Sequence, residues 1–385
     1  MLPFSSIDFL LVFCVPVLAL YLIKKTGKWV AYENVILFFS LSYILFLYPS
    51  PLKLLVFILS TYILYLFLVQ WWNPRHKIIG CVILLLPLIL MKANVKFHFY
   101  PFSLNEVFVF AGLSYISFRV IHLYMDSSVS KKTIHFKDWG NFLLFTPTLL
   151  IGPIDRYSRF RSDLNKGFGN VNSINLEKGL ELIAVGILQK YVLAEFVSRY
   201  WLNPIGDLTQ SYGAFANGMY AYYFYLYFDF AGYSSMAIGL AKTMGFDVPF
   251  NFNLPFLAHN IQDFWRRFHK TLGDFLNDYF FKPIYMFLTR KSSLKNYPLL
   301  RQNTALFLTF VLMGSWNGFE AHFLLSGCLF GVYSVVHNTY TTACKKKGRD
   351  VFFGKLNPGL VKVVSILITF HLTAISLLIF SGKLF

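Results

Sequence analysis

The chain contains 385 residues, of which 56% are hydrophobic and 14% are charged, and its formal net charge is +17 at pH 7. Soluble domains contain about 25% charged residues, so this composition excludes an ordinary soluble protein. It predicts an all-α polytopic membrane protein, because apolar segments of helical length satisfy their own backbone groups inside a bilayer.

The excess of basic residues does not predict a nucleic-acid partner. The cations lie in short loops beside apolar segments, as residues that set membrane topology do. The alternating basic loops contain Lys24, Lys25 and Lys28, then Arg75 and Lys77, then Lys131 and Lys132. The positive-inside rule places these loops in the cytoplasm and the amino terminus outside. We therefore expect a multi-pass protein of the cell membrane.

Apolar segments predict the first membrane helices at about 7–23, 33–49, 53–72, 78–91 and 104–124. The first is followed by lysines and not by a small-residue cleavage site, so we interpret it as a retained span. No internal repeat interrupts the chain, which favours a single domain over residues 1–385. The four cysteines show no paired spacing, so neither a disulfide framework nor a metal site is predicted.

The segment from Phe136 to Arg161 is interrupted by Pro147, Gly152 and Pro153. A short apolar run broken in this way is typical of a re-entrant or interfacial segment.

Longer helices are predicted for residues 177–199 and 215–244, and the second contains Asp229. Two interpretations of Asp229 stay open: a polar residue satisfied between helices, or a direct role in the reaction. Gly232 and Ser234 in the same stretch favour close helix packing.

The stretch HNIQDFWRRFHKTLGDFLNDYFFKP begins at His259 and predicts one amphipathic helix. Phe264, Phe268, Leu272 and Phe275 recur at three- and four-residue steps. His269 lies at the edge of this apolar face.

A basic loop from Arg290 to Arg301 precedes a helical hairpin of residues 303–315 and 319–340. The first of these segments is only about 20 Å long as a helix, against roughly 30 Å of hydrocarbon. The turn at Trp316 and Asn317 is therefore predicted at membrane depth, on the outward side. Irregular backbone at that depth is tolerated only in protein or beside a wet cavity, which makes the turn a candidate site.

Two motifs carry a resemblance to a known family. FWRRFHKTLGDFLNDY, from Phe264 to Tyr279, resembles the FW-x-R-W-H-x-S-L-S segment of bacterial membrane-bound O-acyltransferases, and GSWNG, from Gly314 to Gly318, resembles their G-x-W-H-G. Further blocks resemble the DltB branch, which transfers D-alanine to teichoic acids. They are GPIDRYSRF from Gly152, YFDFAGYSSMA from Tyr227, MGFDVPFNFNLPF from Met244 and the closing LLIFSGKLF.

The resemblance implies a helical bundle of about eleven membrane segments around a central chamber. His269, Trp265, Trp316 and Asn317 would line this chamber, with Asp229 among the substrate-binding residues. Acyl transfer to a hydroxyl needs a base, and histidine, with a reference pKa of about 6.5, suits neutral pH. His269 and Asn317 are accordingly the expected catalytic positions.

Asn317 departs from the family pattern. Relatives have a histidine there as the usual base, whereas asparagine has no basic nitrogen. Phe330 also stands where relatives often have a second histidine. Three explanations stay open: an engineered inactive variant, a natural homologue with altered chemistry, or a site in which His269 alone is the base and Asn317 orients the carbonyl. His322 is a weaker substitute, since residues five apart lie on different helix faces.

The chain has no P-loop, dinucleotide fingerprint or G-x-S-x-G motif, so the activated acyl group must arrive from elsewhere. The resemblance implies no bound cofactor and a D-alanyl thioester on the phosphopantetheine of a small acidic carrier protein. Arg290, Lys291 and Lys295 are candidate carrier-docking residues, with Arg301 beside them. They are equally explained as topology signals.

The resemblance further implies a teichoic acid or another envelope glycan as acceptor, and additional membrane proteins of the same pathway as partners. Three alternatives remain. The chain could transfer another acyl group, such as acetyl, to a different surface glycan; it could be a degenerate homologue serving as a scaffold or thioester channel; or it could be a transporter or flippase.

Overall fold

A computed structural model describes residues 7–26, 31–47, 51–70, 77–97, 112–130, 132–150, 152–348 and 357–385. The described residues contain helices and no strand, which confirms the all-α prediction. The chain divides into two compact units. The first comprises Met1–Leu188 and Gly232–Phe250, and the second comprises Gln189–Ala231 and Asn251–Phe385.

The first unit begins with long helices at the predicted apolar segments. They are α1 (Ile7–Thr26), α2 (Tyr32–Leu47), α3 (Pro51–Gln70), α4 (Lys77–Phe97) and α5 (Leu113–Ser130). Parts of the predicted basic loops and of the fifth apolar segment lie outside the described residues. They are Lys28, Arg75, Lys131 and residues 104–111.

Two helices of the described chain are both long and apolar enough to cross a membrane. They are Pro51–Gln70 in the first unit and Gly359–Phe380 in the second. The predicted number of about eleven membrane segments is therefore not established by helix length and hydropathy.

The interrupted segment forms two short helices, α6 (Phe136–Leu143) and α7 (Tyr157–Lys166), with a 3₁₀ turn at Thr146–Thr148 between them. The eight residues of α6 extend only about 12 Å, too short to cross a bilayer. Arg119 of α5 is buried, and its guanidinium donates hydrogen bonds to the carbonyl oxygens of Phe142, Leu143 and Thr148. These bonds satisfy backbone carbonyls that the interrupted helix leaves without helical partners.

The helix α8 (Ser173–Ile187) packs closely against the second half of a 32-residue helix, α10 (Tyr212–Thr243). A Cβ added at Gly186 would lie 2.6 Å from the carbonyl oxygen of Gly232, so only glycine fits there. Contact between small residues lets helix backbones approach closely, which confirms the packing role predicted for Gly232.

The second unit contains the first half of α10 and all later helices. Between α8 and α10 the chain forms π-helical turns at Leu188–Ala194 and Ser198–Leu202 around a short α9 (Glu195–Val197). The later helices are α11 (Ile261–Arg267), α12 (Lys270–Leu276), α13 (Lys282–Thr289), α14 (Pro298–Asn317), α15 (Ala321–Lys346) and α16 (Pro358–Phe380), with a π-helical turn at Asn277–Phe281.

The prediction of one continuous amphipathic helix after His259 is wrong. The helix stops at Arg267 and a new one starts at Lys270, because Phe268 is extended and His269 is left-handed. The apolar residues nevertheless face the interior, since Phe264, Phe268 and Phe275 are all buried.

The predicted thirteen-residue first arm of the hairpin is also wrong. Helix α14 has 20 residues and begins at Pro298, so it is about 30 Å long and matches the hydrocarbon thickness. Proline at the first helical position marked this start in the sequence. Since the arm is of full length, its length does not place the turn at membrane depth. Trp316 and Asn317 are the last two residues of α14, and Gly318 follows as its C-cap.

Glycines bring α14 and α15 into close contact. A Cβ on Gly327 would lie 2.7 Å from the carbonyl oxygen of Phe310 and 3.1 Å from the Cα of Gly314. At the far end of the hairpin, the Asn338 amide donates to the Asn303 side chain over 2.7 Å. The hairpin is therefore fixed at both ends.

We expect Gly327→Ala to lower the melting temperature of the detergent-solubilised protein, because overpacking a close helix contact costs about 1–3 kcal/mol. Gly213→Ala in α10 is the matched control, since its nearest neighbour would be 3.8 Å away. Equal melting temperatures for the two variants, measured by intrinsic fluorescence, would contradict the close contact.

Candidate functional site

The break between α11 and α12 is held by the segment of residues 251–253. The amide of Asn253 donates to the carbonyl of Arg267, and the amide of Lys270 donates to the carbonyl of Asn251, each over 2.9 Å. The Asn251 side chain also accepts from the Thr271 amide at 3.2 Å and the Thr271 hydroxyl at 2.7 Å. These bonds replace helical ones, so the chain can turn at His269 without losing backbone partners.

His269 has a left-handed backbone, with φ of 49° and ψ of 48°. This conformation is strained for a residue with a Cβ, and such strain often marks functional sites. The carbonyl of His269 accepts from the amides of Leu272 and Gly273, so the residue also begins α12.

The imidazole of His269 is buried in an aromatic environment, with only 9% of the residue exposed. Its centroid lies 4.7 Å from that of Phe230 and 6.5 Å from that of Phe252. Its Nδ1 has no hydrogen-bond partner among the described residues. Burial lowers the pKa of His269 from its usual 6.5 to about 4, so the ring is neutral at pH 7. The adjoining seven-residue helices are too short to cross a bilayer.

Trp265 lies one helical turn before His269 and faces a small pocket. The pocket has a volume of about 150 Å³, and its lining includes Phe281 and, from α14, Phe310 and Met313. The lining is largely apolar, and the indole Nε1 of Trp265 is buried with no acceptor in the described chain. A donor of this kind can bind a carbonyl oxygen of a ligand.

Phe330 fills the position where relatives often have a second histidine. It is 2% exposed, and its ring lies 4.8 Å from Trp265 edge-on and 5.9 Å from Phe264 in a stacked arrangement. The residue therefore supports Trp265 from α15 by aromatic packing.

Asn317 ends α14 and is exposed, and its amide donates to the carbonyl of Met313 at 3.1 Å. The next residue, Gly318, has no room for a side chain, because a Cβ would lie 2.0 Å from Oε2 of Glu320 and 2.8 Å from the ring of Phe323. The crowding at Gly318 thus fixes the geometry of the turn that follows Asn317.

His322, the weaker substitute for the missing histidine, faces the C-terminal segment. Its ring lies 4.1 Å from Phe323 and 6.3 Å from Phe385, and it would be 3.3 Å from a Cβ on Gly382. These contacts explain it as a packing residue.

Asp229 forms an ion pair with Lys190 of the π-helical turn, and the aspartate and lysine side chains are 37% and 14% exposed. The pair agrees with the interpretation of Asp229 as a polar residue satisfied between helices. Lys190 was not singled out from the sequence, because the two residues are 39 positions apart.

The basic segment before α14 divides into exposed and buried residues. Arg290, Lys291 and Lys295 are exposed, as a docking surface requires. Arg301 is instead 9% exposed, and it donates to the carbonyl of Lys295 at 3.2 Å and lies over the ring of Tyr285. Arg301 is therefore not part of an exposed docking face.

Sequence reasoning missed Asn251, which holds the break at His269. Asparagine between apolar residues in the MGFDVPFNFNLPF block was the available signal, because a buried polar residue must find partners. The predicted site residues thus fall into two described groups. His269 lies among aromatic rings at the helix break, and Trp265 lines a pocket with Phe310 and Met313 of α14, the helix that ends with Trp316 and Asn317.

A buried neutral histidine, an unpartnered indole donor and a fixed turn are features that an acyl-transfer site can use. The sequence pattern of the membrane-bound O-acyltransferase family matches residues 22–381. The chain therefore belongs to this family and is an integral membrane O-acyltransferase.

Among its relatives are teichoic acid D-alanyltransferases. The enzyme of Bacillus subtilis is 33% identical over 343 residues, covering 86% of this chain and 83% of that protein. The enzyme of Streptococcus thermophilus is 32% identical over 313 residues, covering 78% and 74%. A peptidoglycan O-acetyltransferase of Helicobacter pylori is 32% identical over 251 residues, covering 65% of this chain and 44% of that protein. The chain accordingly resembles the teichoic acid D-alanyltransferases, as the motifs indicated.

We expect Asn251→Ala to destabilise the break, because the Thr271 amide and hydroxyl lose a buried acceptor, which typically costs about 1–3 kcal/mol. Hydrogen exchange at residues 268–273 should become faster. Asn253→Ala is the matched control, since Asn253 is exposed and its backbone pairs with Arg267. Similar exchange in both variants would show that the Asn251 side chain does not hold the break.

Proposed function

We propose that this chain transfers a D-alanyl group from the phosphopantetheine thioester of a carrier protein towards a hydroxyl of teichoic acid in the cell envelope. The observation that carries the proposal is the 33% identity to a teichoic acid D-alanyltransferase over 86% of the chain. The match to a peptidoglycan O-acetyltransferase covers less of both proteins, so acetyl transfer is the second candidate.

The proposed architecture is a single domain of about eleven membrane segments around a central chamber. Two observations support it. Two helices of the described chain are long and apolar enough to span a membrane. Short interrupted helices also occur where a membrane protein surrounds a cavity, and α6, α7, α11 and α12 are of this kind. Further membrane proteins of the same pathway complete the proposed route to the acceptor.

In the proposed reaction, His269 accepts the proton of the attacking hydroxyl. The hydroxyl oxygen bonds to the thioester carbonyl carbon, the carbon–sulfur bond breaks, and the carrier thiolate leaves and takes up the proton that His269 had accepted. The unpartnered Nε1 of Trp265 donates to the carbonyl oxygen as negative charge develops on it. Trp316 and Asn317 complete the chamber, and aromatic residues around His269 exclude water that would hydrolyse the thioester.

Two observations support the alternative that the chain is a degenerate, non-catalytic homologue. Asn317 cannot act as a base, and Phe330 is committed to aromatic packing. Against this alternative, Gly318 and its crowded surroundings are retained, and His269 keeps a strained backbone. Strain persists only when the surrounding structure holds it, which supports a retained role.

The proposed carrier-docking surface consists of Arg290, Lys291 and Lys295. Their exposure allows contact with an acidic carrier, and opposite charges across an exposed interface speed encounter. The Nζ atom of Lys291 also lies 5.0 Å from the centroid of the Phe287 ring.

We expect His269→Asn to reduce single-turnover transfer by about 10²- to 10⁴-fold, the usual contribution of a general base. Asparagine tolerates the left-handed backbone better than other non-glycine residues, so folding should be retained. In the unaltered protein the rate should stay constant from pH 7 to about pH 5 and fall near pH 4, because a base works unprotonated and burial lowers the pKa of His269. Radiolabelled D-alanyl carrier and isolated membranes provide the assay.

The same assay separates the alternatives. Full activity of the His269→Asn variant would show that another residue is the general base. If the unaltered protein transfers no D-alanine at equal membrane abundance, the alternative of a non-catalytic scaffold is supported. If it transfers only from an acetyl donor, the alternative of an acetyltransferase is supported.

Charge reversal of Arg290, Lys291 and Lys295 to glutamate should weaken carrier binding, and more so at low salt, because exposed charges are screened over about 10 Å at 0.1 M. The control reverses the exposed Lys345, Lys346 and Lys347, which changes net charge by the same amount. Binding of purified carrier to the detergent-solubilised protein measures the difference. If both triple variants lose carrier binding equally, Arg290, Lys291 and Lys295 do not form a docking surface and serve only as topology signals.

A further inference from the structure

The turn between α14 and α15 contains a carboxylate that the sequence analysis did not assign. Glu320 is the N-cap residue of α15, but its side chain makes no capping hydrogen bond. Oε2 of Glu320 lies 2.0 Å from the position that a Cβ on Gly318 would occupy. The carboxylate is therefore folded back over Gly318, beside Asn317, instead of capping the helix that follows it.

One oxygen of this carboxylate has no partner among the residues that the structure describes. Oε2 is buried and accepts no hydrogen bond from the described part of the chain. Leaving a buried acceptor of this kind unsatisfied costs free energy, more for a charged group than for a neutral one. Asp229 differs, because Lys190 already neutralises it. Glu320 is thus the better placed of the two carboxylates to bind a cationic ligand.

The rest of the Glu320 side chain is reachable from outside. The residue is only partly buried, and the neighbouring Asn317 is exposed. Because Glu320 is partly solvent-accessible and Asn317 beside it in the chain is exposed, a ligand at the turn can approach the acidic side chain. The turn therefore offers one acidic group to a ligand.

A D-alanyl group differs from a propionyl group only by an α-ammonium, which is a cation with three N–H donors. Its nitrogen is bonded to the carbon next to the thioester carbonyl, so a group that holds the ammonium also positions the carbonyl. Bonds between an ammonium and a carboxylate are charge-assisted and roughly twice as strong as neutral ones.

We propose that Glu320 binds the ammonium of the D-alanyl group and makes this turn selective for an aminoacyl over a simple acyl donor. The proposal rests on the proposed D-alanyl transfer and names the residue that sets its acyl specificity. An acyl group without an amine leaves the buried carboxylate oxygen unpaired, and sites with unpaired polar groups reject such analogues strongly.

The test compares D-alanyl and propionyl thioesters on the same purified carrier, with the full chain in isolated membranes and lipoteichoic acid as acceptor. Glu320→Gln should lower the single-turnover rate with the D-alanyl donor by about 10- to 100-fold, as loss of a charged hydrogen bond does. The rate with the propionyl donor should be unchanged or higher. Glu181→Gln is the control, since Glu181 is exposed on α8, and it should alter neither rate.

The ratio of the two rates separates specificity from a structural role. An equal fall with both donors, or an unchanged ratio in a folded Glu320→Gln protein, would overturn the proposal. Glu320→Asp keeps the charge and should retain part of the preference for the D-alanyl donor. If Glu320→Gln does not accumulate in membranes, the ratio of D-alanyl to propionyl rates is measured in Glu320→Asp instead. A ratio equal to that of the unaltered protein would then count against the proposal. If the unaltered protein transfers neither group, the proposed function fails, whereas normal D-alanyl transfer with no effect of Glu320 removes this inference alone.

Discussion

The pairing of residues 251–253 with the chain around His269 is the interaction on which the site depends. Two backbone hydrogen bonds and the Asn251 side chain supply partners that the broken helix loses. Without them, the backbone groups around the extended Phe268 and the left-handed His269 would lose their protein partners, which costs free energy. The pairing therefore holds His269 in the buried aromatic environment that keeps it neutral.

Aromatic packing forms the α15 side of the site. Phe330 stacks on Phe264 and supports Trp265. At the turn, Gly318 accommodates the carboxylate of Glu320 where any side chain would collide with it. Together these packing contacts fix the shape of the turn.

Charged residues of the second unit differ in whether other protein groups satisfy them. Lys190 and Asp229 neutralise one another, and Arg301 is fixed by a backbone carbonyl and an aromatic ring. Arg290 and Lys295 are instead exposed to solvent. Buried charges need partners, while exposed ones are satisfied by water and remain available for binding.

Composition and local motifs were enough to predict the membrane class, the all-α architecture and membership of the O-acyltransferase family, because they report these properties directly. They also predicted that the segment around Pro147 is interrupted, while the catalytic role of His269 stays a prediction. Three features became visible only in the fold: the helix breaks at His269, Lys190 neutralises Asp229, and Glu320 folds over Gly318. The physical reason is that hydrophobic periodicity reports which face of a helix is buried, whereas a break depends on hydrogen bonds from Asn251, eighteen residues before His269.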